Sequence, residues 1–437
     1  MTQIHQHRFI AEVVVTCDTE NSVYAPGIVD IEDGRIHWVG SKEDAPDTSS
    51  TTKEYDVGGL LMPGLVNAHC HTPMTLLRGV GDGLPLQRWL TEAIWPREGL
   101  MTSEDVWWGM TFGSAEMLQS GVTTSCEMYL FEEAVVDAAQ QTGARLVMTP
   151  VVISESNRNF QEHITDLTHL YERHHDPAGR TTVGVAAHSA YDLGIDPVAE
   201  LAGLARSLDT TLHLHLAETQ EESADLERKF GQSITRILYD NGVFDGRVLA
   251  AHSVWVDRSD IELMAEGEVA VAHCPVSNMK LGAGIAPLVD LRAAGVTVGY
   301  GTDGPASNDS LDLWEEVKIA PLLARVKALE STAITASETL AMATREGAAA
   351  VGLHDTGSLE VGNAADMIRI DLEQSTFVPV TSPDELIAHL AWSGSNRLVT
   401  DVWVAGKQVV VGGEVQTVDT ERARAQVQER ARRLAGS

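Results

Sequence analysis

The sequence predicts an α/β protein: a (β/α)8 barrel of the TIM type with a small β-sandwich domain built from both ends of the chain. Between about residues 60 and 357, eight short apolar runs alternate with helical segments, as strands and helices do in such a barrel. Polar residues gather at the C-terminal ends of these runs, where a barrel builds its active site. Both chain ends instead contain short extended runs separated by turns. We therefore predict a catalytic barrel over residues 59–357 and a sandwich made of residues 1–58 and 358–437.

The individual elements follow from local patterns. Near the N-terminus, AEVVVTC and GIVDIEDGRIHWVG are extended runs, and EDG predicts a hairpin turn. The predicted barrel strands lie in LLMPGLVNAH, GVTTSCEMY, RLVMTPVV, TVGVAAHS, TTLHLHLAE, RVLAAHSV, VAVAHCPVSN and VTVGYGTD. Segments such as SEDVWWGMTFGSAEMLQS and PVAELAGLARSL predict the helices between them. Hairpin turns follow at AGK and GGE, and RARAQVQERARRL predicts a closing helix.

Composition restricts the partners and the compartment. The formal charge is −32 over 437 residues, which disfavours nucleic acid and anionic membranes as partners. The N-terminus lacks a signal-peptide pattern, and no apolar run is long enough to cross a bilayer. The cysteines lie far apart without a CxxC pair, so free thiols in a reducing compartment are expected at Cys17, Cys70, Cys126 and Cys274. We therefore expect a soluble cytoplasmic protein.

The strand ends contain the side chains of a candidate metal site. His69 and His71 follow the first run, and residues two apart in a strand share a face. His215 ends the fifth run and Asp303 the eighth. Three imidazoles and one carboxylate suit Zn²⁺ or a similar cation and leave a position for water, which is typical of hydrolytic sites. An HxH pair alone is no more than suggestive, but four such residues at one end of a barrel favour a metal.

Other histidines near strand ends admit a purely structural interpretation. His213 shares a strand face with His215 but lies one layer deeper, so we expect it to pack or to hold its neighbour. His273 ends the seventh run, and we expect a hydrogen-bonded structural residue there. His252 ends the sixth run and remains a candidate for the active site.

Longer motifs carry a resemblance to a known family. MPGLVNAHCHTPMTLLRG, LHLHLAET, AAHSVW, HCPVSNMKLGAGIAPL and GTDGPASNDSLDLWEE resemble the amidohydrolase superfamily, and within it the 5′-methylthioadenosine/S-adenosylhomocysteine deaminases. The similarity extends over almost the whole chain. It implies one Zn²⁺ per subunit, although Fe²⁺ or Mn²⁺ would accept the same ligands. It also implies a site without a bridging carboxylated lysine, a small-molecule nucleoside as substrate, and a homo-oligomer, either a dimer or a tetramer.

Deamination assigns chemical tasks to the candidate residues. Bound Zn²⁺ lowers the pKa of its water to roughly 7, which supplies the nucleophile. Asp303 is expected to hold the metal with one oxygen and to take the water's proton with the other. Glu218, three residues after His215, is expected to protonate the ring nitrogen, although a solvated carboxylate is the alternative interpretation. His252 is expected to hydrogen-bond the attacking water or the oxygen that develops charge.

Substrate contacts are implied by the resemblance. His188 is expected to contact the purine ring, Trp89 to line the pocket and Glu98 to receive the ribose hydroxyls. The alternatives to these contacts are that Glu98 is a surface residue and that Trp89 packs in the core of a loop. Members that accept adenosylhomocysteine lead us to expect an arginine where this chain has Pro150. A second arginine corresponds loosely to Arg158, so we expect adenosylhomocysteine to be a poorer substrate than methylthioadenosine or adenosine.

Two other functions remain open. The same scaffold serves triazine chlorohydrolases and aminohydrolases and deaminases of free bases or pterins, which need no ribose contact. A barrel that has lost its metal and acts as a scaffold is the non-enzymatic alternative.

Overall fold

The computed structural model describes residues 6–154 and 159–436. Its barrel strands, numbered here in chain order, are β1 (Leu65–Cys70), β2 (Val122–Glu127), β3 (Arg145–Met148 and Val151–Val152), β4 (Thr181–Val183 and Val185–Ser189), β5 (Leu212–Leu216), β6 (Val248–His252), β7 (Ala270–His273) and β8 (Val298–Tyr300). Each is parallel to its neighbours in chain order, as the alternation of strands and helices predicts. The predicted α/β architecture is confirmed.

Hydrogen bonds connect the barrel strands across two interruptions. Pro150 divides β3 and Gly184 divides β4, but the Ala186 N–H still donates to the Pro150 carbonyl oxygen at 3.2 Å. After β8, the Asp303 N–H donates to the His69 carbonyl oxygen at 3.0 Å, which links the last strand back to β1. The ends of β1 and β8 are therefore held side by side.

The sandwich is made of two sheets that combine both ends of the chain. The first contains Arg35–Ser41, Gly27–Glu32, Gln6–Ala11 and Lys53–Asp56. The second contains Glu414–Val415, Lys407–Val411, Val399–Val404, Met367–Ile370, Leu60–Pro63, Val13–Val15 and Val23–Tyr24. The hairpins expected at EDG, AGK and GGE are present. The predicted domain boundaries remain a prediction.

One predicted barrel strand is two strands in the structure. LLMPGLVNAH divides at Gly64 into Leu60–Pro63, which pairs with Met367–Ile370 in the sandwich, and β1. A Cβ at Gly64 would lie 2.2 Å from Oγ1 of Thr123, so only glycine permits this close approach to β2. A single residue therefore joins the sandwich to the strand that contains His69 and leads directly into His71.

Helices cover the outside of the barrel. Thr102, Asn159, Asp257 and Thr335 each form a capping box with the residue three positions later, which fixes where four of these helices begin. The α-helices with at least six residues are Ser103–Gln119, Glu132–Thr142, Phe160–His174, Ile195–Ser207, Gln220–Phe230, Ile234–Asp240, Arg258–Glu266, Pro275–Lys280, Leu288–Ala293, Leu313–Ala328, Ala336–Ala343, Arg345–Ala350, Glu385–Ser393 and Thr420–Ala435. The other helical segments, which are shorter α-helices or 3-10 and π turns, are Thr72–Leu77, Leu86–Arg88, Trp89–Ile94, Trp95–Glu98, Ala190–Leu193, Ser375–Phe377 and Asn396–Leu398. The last long helix confirms the closing helix expected from the sequence.

A buried ion pair joins barrel to sandwich. Arg145 at the start of β3 donates from Nε to Oδ2 of Asp366 at 2.6 Å, and both side chains are almost fully buried. Asp366 also accepts the Ala405 N–H at 2.6 Å. All four cysteines are free and buried, as expected. Among the described residues, no helix is long and apolar enough to cross a membrane.

Candidate active site

Five polar side chains converge at the C-terminal end of the barrel: His69, His71, His215, His252 and Asp303. One candidate ligand atom from each of His69, His215, His252 and Asp303 lies within 4.8 Å of the others. His71 joins this group, because its Nε2 lies 3.2 Å from Oδ1 of Asp303. The structure thus brings together all four residues that the sequence suggested as metal ligands, with His252 beside them.

The backbone at three of these strand ends is left-handed. Ala217 after β5, His252 at the end of β6 and Asp303 after β8 have φ values of 49°, 71° and 59°. Such conformations are unfavourable for residues other than glycine and cluster at functional sites. Here they turn the chain where Glu218, His252 and Asp303 enter the site.

The protonation of two histidines follows from their partners. Nδ1 of His71 lies 2.6 Å from the carbonyl oxygen of Met128, and Nδ1 of His215 lies 2.8 Å from that of His188. A carbonyl oxygen only accepts, so both rings carry a hydrogen on Nδ1 and direct Nε2 to the site. Burial and the neighbouring imidazoles lower the pKa of His215 well below its usual value, which keeps that ring neutral and its Nε2 free for a cation. Burial lowers the pKa of His71, but the Asp303 carboxylate outweighs this effect and raises the pKa, so a cation that binds His71 displaces a proton from its Nε2.

His252 has the opposite arrangement. Nδ2 of Asn278 donates to Nδ1 of His252 at 3.0 Å, so the hydrogen of the neutral ring resides on Nε2. That nitrogen lies 3.8 Å from Oε2 of Glu218. His252 therefore presents a donor to the site, which fits an oxygen held there better than a metal ion.

The donor set fits a single divalent cation. Within residues 6–154 and 159–436, the buried Nε2 of His69 has no hydrogen-bond partner, and it lies 3.4 Å from Oδ1 of Asp303. Together with His71 and His215 it provides three imidazole nitrogens, and Asp303 adds one oxygen. This is the combination preferred by Zn²⁺ in sites that keep a position open for water.

Asp303 uses its two oxygens differently. Oδ1 faces the histidines, whereas Oδ2 accepts hydrogen bonds from the hydroxyl groups of Ser277 at 2.6 Å and Ser307 at 2.8 Å. These hydroxyls orient the carboxylate, so that one oxygen remains directed at the candidate ligands. If Oδ2 is to take a proton from water, one serine hydroxyl must turn away.

Glu218 lies in a setting that keeps its carboxyl group protonated. The side chain is buried, and burial together with the charge of Asp303 raises the pKa of Glu218 to about 8. Its backbone N–H donates to Oε2 of Glu222 at 3.1 Å. Burial and the charge of Glu218 likewise raise the pKa of Glu222 to about 7. At neutral pH the carboxyl group of Glu218 can therefore donate a proton.

A cavity of about 430 Å³ opens above this cluster and includes Trp89, Glu98 and His188 among its lining residues. Trp89 is buried, and its Nε1 donates to the Val80 carbonyl oxygen at 3.1 Å, which fixes the indole ring. Oε1 of Glu98 accepts the hydroxyl hydrogen of Tyr129 at 2.7 Å. Burial raises the pKa of Glu98, and the Tyr129 hydrogen bond opposes this effect. The predicted contact residues thus line the same cavity as the metal cluster.

His188 also lines the cavity. Its Nδ1 lies 3.2 Å from Oδ2 of Asp192, one helical turn later, and its carbonyl oxygen orients His215. Pro150 lines the cavity as well. Arg158 lies outside the described residues, so its predicted substrate contact stays a prediction.

Sequence reasoning did not identify the residues that orient the site residues: it placed Tyr129 at a strand end without a partner and did not single out Asn278 or Asp192. Asn278, Tyr129 and Asp192 each make a hydrogen bond to a candidate site residue. Asn278 occurs in HCPVSN and Tyr129 ends GVTTSCEMY, so both lie in motifs that signalled strand ends. The motifs did not reveal their partners, which lie 26 and 31 residues away.

The fold and the site define a barrel hydrolase with one divalent metal centre. The family model described as "Amidohydrolase family" matches residues 60–409. The chain belongs to the amidohydrolase family.

Several known proteins are similar to this chain over nearly its full length. A 5-methylthioadenosine/S-adenosylhomocysteine deaminase of Moorella thermoacetica is 38% identical over 410 residues, covering 93% of this chain and 95% of the relative. The protein of the same name from Symbiobacterium thermophilum is 40% identical over 379 residues, covering 85% and 86%. The crystal structure of an adenosine deaminase from Xanthomonas campestris with bound zinc has a TM-score of 0.94, 34% identity and 99% coverage of both chains. An atrazine chlorohydrolase from Arthrobacter aurescens, complexed with zinc, has a TM-score of 0.89 and 25% identity, with 97% and 100% coverage.

Proposed function

We propose that this protein is a zinc-dependent hydrolytic deaminase of adenosine-type nucleosides. Its substrates are 5′-methylthioadenosine, S-adenosylhomocysteine or adenosine, and its products are the corresponding inosine analogue and ammonia. The observation that carries the proposal is one cavity in which the buried carboxyl group of Glu218 lies beside the histidine cluster and the carboxyl group of Glu98 is part of the lining. The names of the relatives from Moorella and Symbiobacterium and of the Xanthomonas structure support the same reaction.

His69, His71, His215 and Asp303 would hold the metal ion, which when bound lowers the pKa of a water molecule to roughly 7 and so supplies hydroxide. Nε2–H of His252 faces the site and donates to the attacking oxygen as it gains charge. Glu218 gives its proton to the ring nitrogen next to the attacked carbon. The amino group leaves as ammonia with the proton that Asp303 took from the water, and the Glu218 carboxylate regains its proton from the added hydroxyl group as the carbonyl forms.

We propose that Glu98 makes the protein prefer a nucleoside to a triazine or a free base. Tyr129 occupies one lone pair of Oε1, so Oε2 remains for a ribose hydroxyl. Trp89 supplies an apolar wall, and His188 is proposed to contact the purine ring. A triazine or a free base offers no vicinal hydroxyl groups for Glu98, which is why this carboxylate favours a nucleoside.

An absorbance and ammonia-release assay tests the reaction. We expect the zinc-loaded protein to deaminate 5′-methylthioadenosine and adenosine but not adenine, pterins or amino-triazines. Dechlorination of atrazine or deamination of free bases in place of nucleosides would favour the alternative activities. A protein that holds no metal and stays inactive after zinc is supplied would instead be a non-catalytic scaffold.

We also propose a homo-oligomer, a dimer or a tetramer, and a cytoplasmic location. The oligomeric state rests on the family resemblance alone and is tested by light scattering coupled to size-exclusion chromatography. The cytoplasmic location is supported by four free, buried cysteines, which suit a reducing compartment.

A further inference from the structure

His213 lies behind the metal cluster and contacts one of the proposed ligands. It is on β5, two residues before His215, and is fully buried. Its Nε2 lies 2.9 Å from Nδ1 of His69, with the two rings nearly perpendicular. The sequence suggested that His213 holds a neighbour, and the neighbour it contacts is His69 on β1, across the barrel.

A chain of hydrogen bonds continues beyond His213. Nδ1 of His213 lies 2.9 Å from Oγ1 of Thr149 and 3.7 Å from Sγ of Cys126, and the Thr149 hydroxyl group donates its hydrogen to the carbonyl oxygen of Glu127 at 2.9 Å. Oγ1 of Thr149 therefore accepts from His213, whose hydrogen is on Nδ1. Nε2 of His213 is then free to accept the Nδ1 hydrogen of His69.

The direction of this series of hydrogen bonds determines which nitrogen of the His69 ring carries the hydrogen and which one faces the site with a lone pair. When His69 carries its hydrogen on Nδ1, the lone pair of Nε2 faces Asp303 and is available to a cation. In the reverse direction, the hydrogen would be on Nε2 and His69 would not bind a metal. Main-chain carbonyl oxygens impose the corresponding state on His71 and His215. Within the described residues, His69 is the one proposed histidine ligand oriented by side chains.

We propose that His213 is a positioning residue that, with Thr149, holds His69 in its metal-binding tautomer. The proposal rests on the metal ligands assigned under the proposed function. Groups that orient a metal ligand typically contribute about 10- to 100-fold to metal affinity. We therefore expect His213 to determine zinc affinity without touching substrate or metal.

The test is a zinc titration in competition with a chromogenic chelator, using the full chain. H213F removes the acceptor and keeps a ring of similar size, and we expect it to lower zinc affinity about 10- to 100-fold. H213Q places an amide near the position of Nε2 and is expected to recover most of that loss. T149V removes the acceptor for His213 and is expected to weaken zinc binding as well. Thermal unfolding of each variant shows whether it folds.

H273F is the matched control. His273 is also buried near the C-terminal end of a barrel strand, but among the described residues its Nδ1 has no hydrogen-bond partner and its ring packs against Tyr300, which is not a proposed ligand. We expect H273F to bind zinc as the parent protein does. Parent-like affinity of folded H213F or T149V, or equal losses in H213Q and H213F, would overturn the proposal. If instead H69A binds zinc as tightly as the parent, the assigned ligand set itself is wrong.

Discussion

The hydroxyl group of Tyr129 donates to Oε1 of Glu98 across 2.7 Å. This bond joins the end of the second barrel strand to the helical segment that also carries Trp89. Tyr129 thereby fixes the carboxylate in the cavity wall, with its second oxygen left for a ligand. A carboxylate held in this way is suited to recognise hydroxyl groups at a defined distance from the metal cluster.

Replacing Glu98 should selectively weaken the recognition of ribose. We expect Glu98→Gln to lower kcat/KM for 5′-methylthioadenosine about 10- to 100-fold, because a hydrogen bond to a charged group contributes roughly 1.5–3 kcal/mol. The measurement is repeated with the 2′,3′-dideoxy analogue, on which parent and variant should differ little. Exposed Glu92 on the same segment provides the control Glu92→Gln. Equal losses on both substrates would argue against a ribose contact.

Replacing Glu218 should remove the proton donor while leaving the metal site filled. We expect Glu218→Gln to lower kcat by about 10²–10⁴-fold, the usual contribution of a positioned acid. Zinc content, measured by atomic absorption, should match that of the parent. Glu221→Gln, at an exposed position three residues later, is the control. A variant that retains parental kcat would exclude Glu218 as the acid.

The pH dependence should report the same carboxyl group. Burial and the charge of Asp303 raise the pKa of Glu218 to about 8, so the donor form is present below that pH and is lost above it. A cation in the site stabilises the carboxylate, so we expect kcat/KM to fall with rising pH from a point at or below about 8. The alkaline decrease should disappear in Glu218→Gln. If the alkaline decrease in kcat/KM persisted in Glu218→Gln, a group other than Glu218 would cause it.

Pro150 should limit the larger substrate. It lines the cavity where relatives that accept adenosylhomocysteine lead us to expect an arginine, which would pair with the amino acid carboxylate. We expect a lower kcat/KM for S-adenosylhomocysteine than for 5′-methylthioadenosine, and a partial recovery in Pro150→Arg. Comparable turnover of both substrates by the parent enzyme would contradict this expectation.

The buried ion pair should be important for stability. Asp366→Ala leaves the Arg145 guanidinium buried without its partner, at a cost of about 3–5 kcal/mol. We expect a clearly lower thermal midpoint in calorimetry. Glu262→Ala breaks the exposed pair with Arg258 and should change the midpoint little. Similar decreases in the thermal midpoint of the two variants would show that the buried pair contributes no more to stability than the exposed pair.

Much of the fold could be predicted because the sequence patterns that indicate its strands and helices are local. Each barrel strand is a short apolar run that ends in polar residues, and this pattern repeats along the chain. The division of the first strand at Gly64 was not predictable, since LLMPGLVNAH reads as one apolar run. It depends on the close approach to Thr123, a contact with a residue far along the chain.

The candidate ligands were predictable for a similar reason, whereas their orientation was not. His69 and His71 alternate along one strand, and the other ligands lie at strand ends, so chain position alone suggested that they meet. The tautomers depend on carbonyl oxygens such as that of Met128 and on side chains such as Asn278. Those partners are set by the register between strands and by loops, which a single sequence does not display.

The strand Leu60–Pro63 has a consequence for the order of events during synthesis. His69 and His71 leave the ribosome early, a few residues after that strand. The strand Met367–Ile370, its partner in the sandwich, emerges only after the whole barrel has been translated. The strand that anchors both histidines can pair early with Val13–Val15, but its second sheet neighbour is missing until translation is nearly complete. Maturation of the metal centre should accordingly be a late, post-translational event.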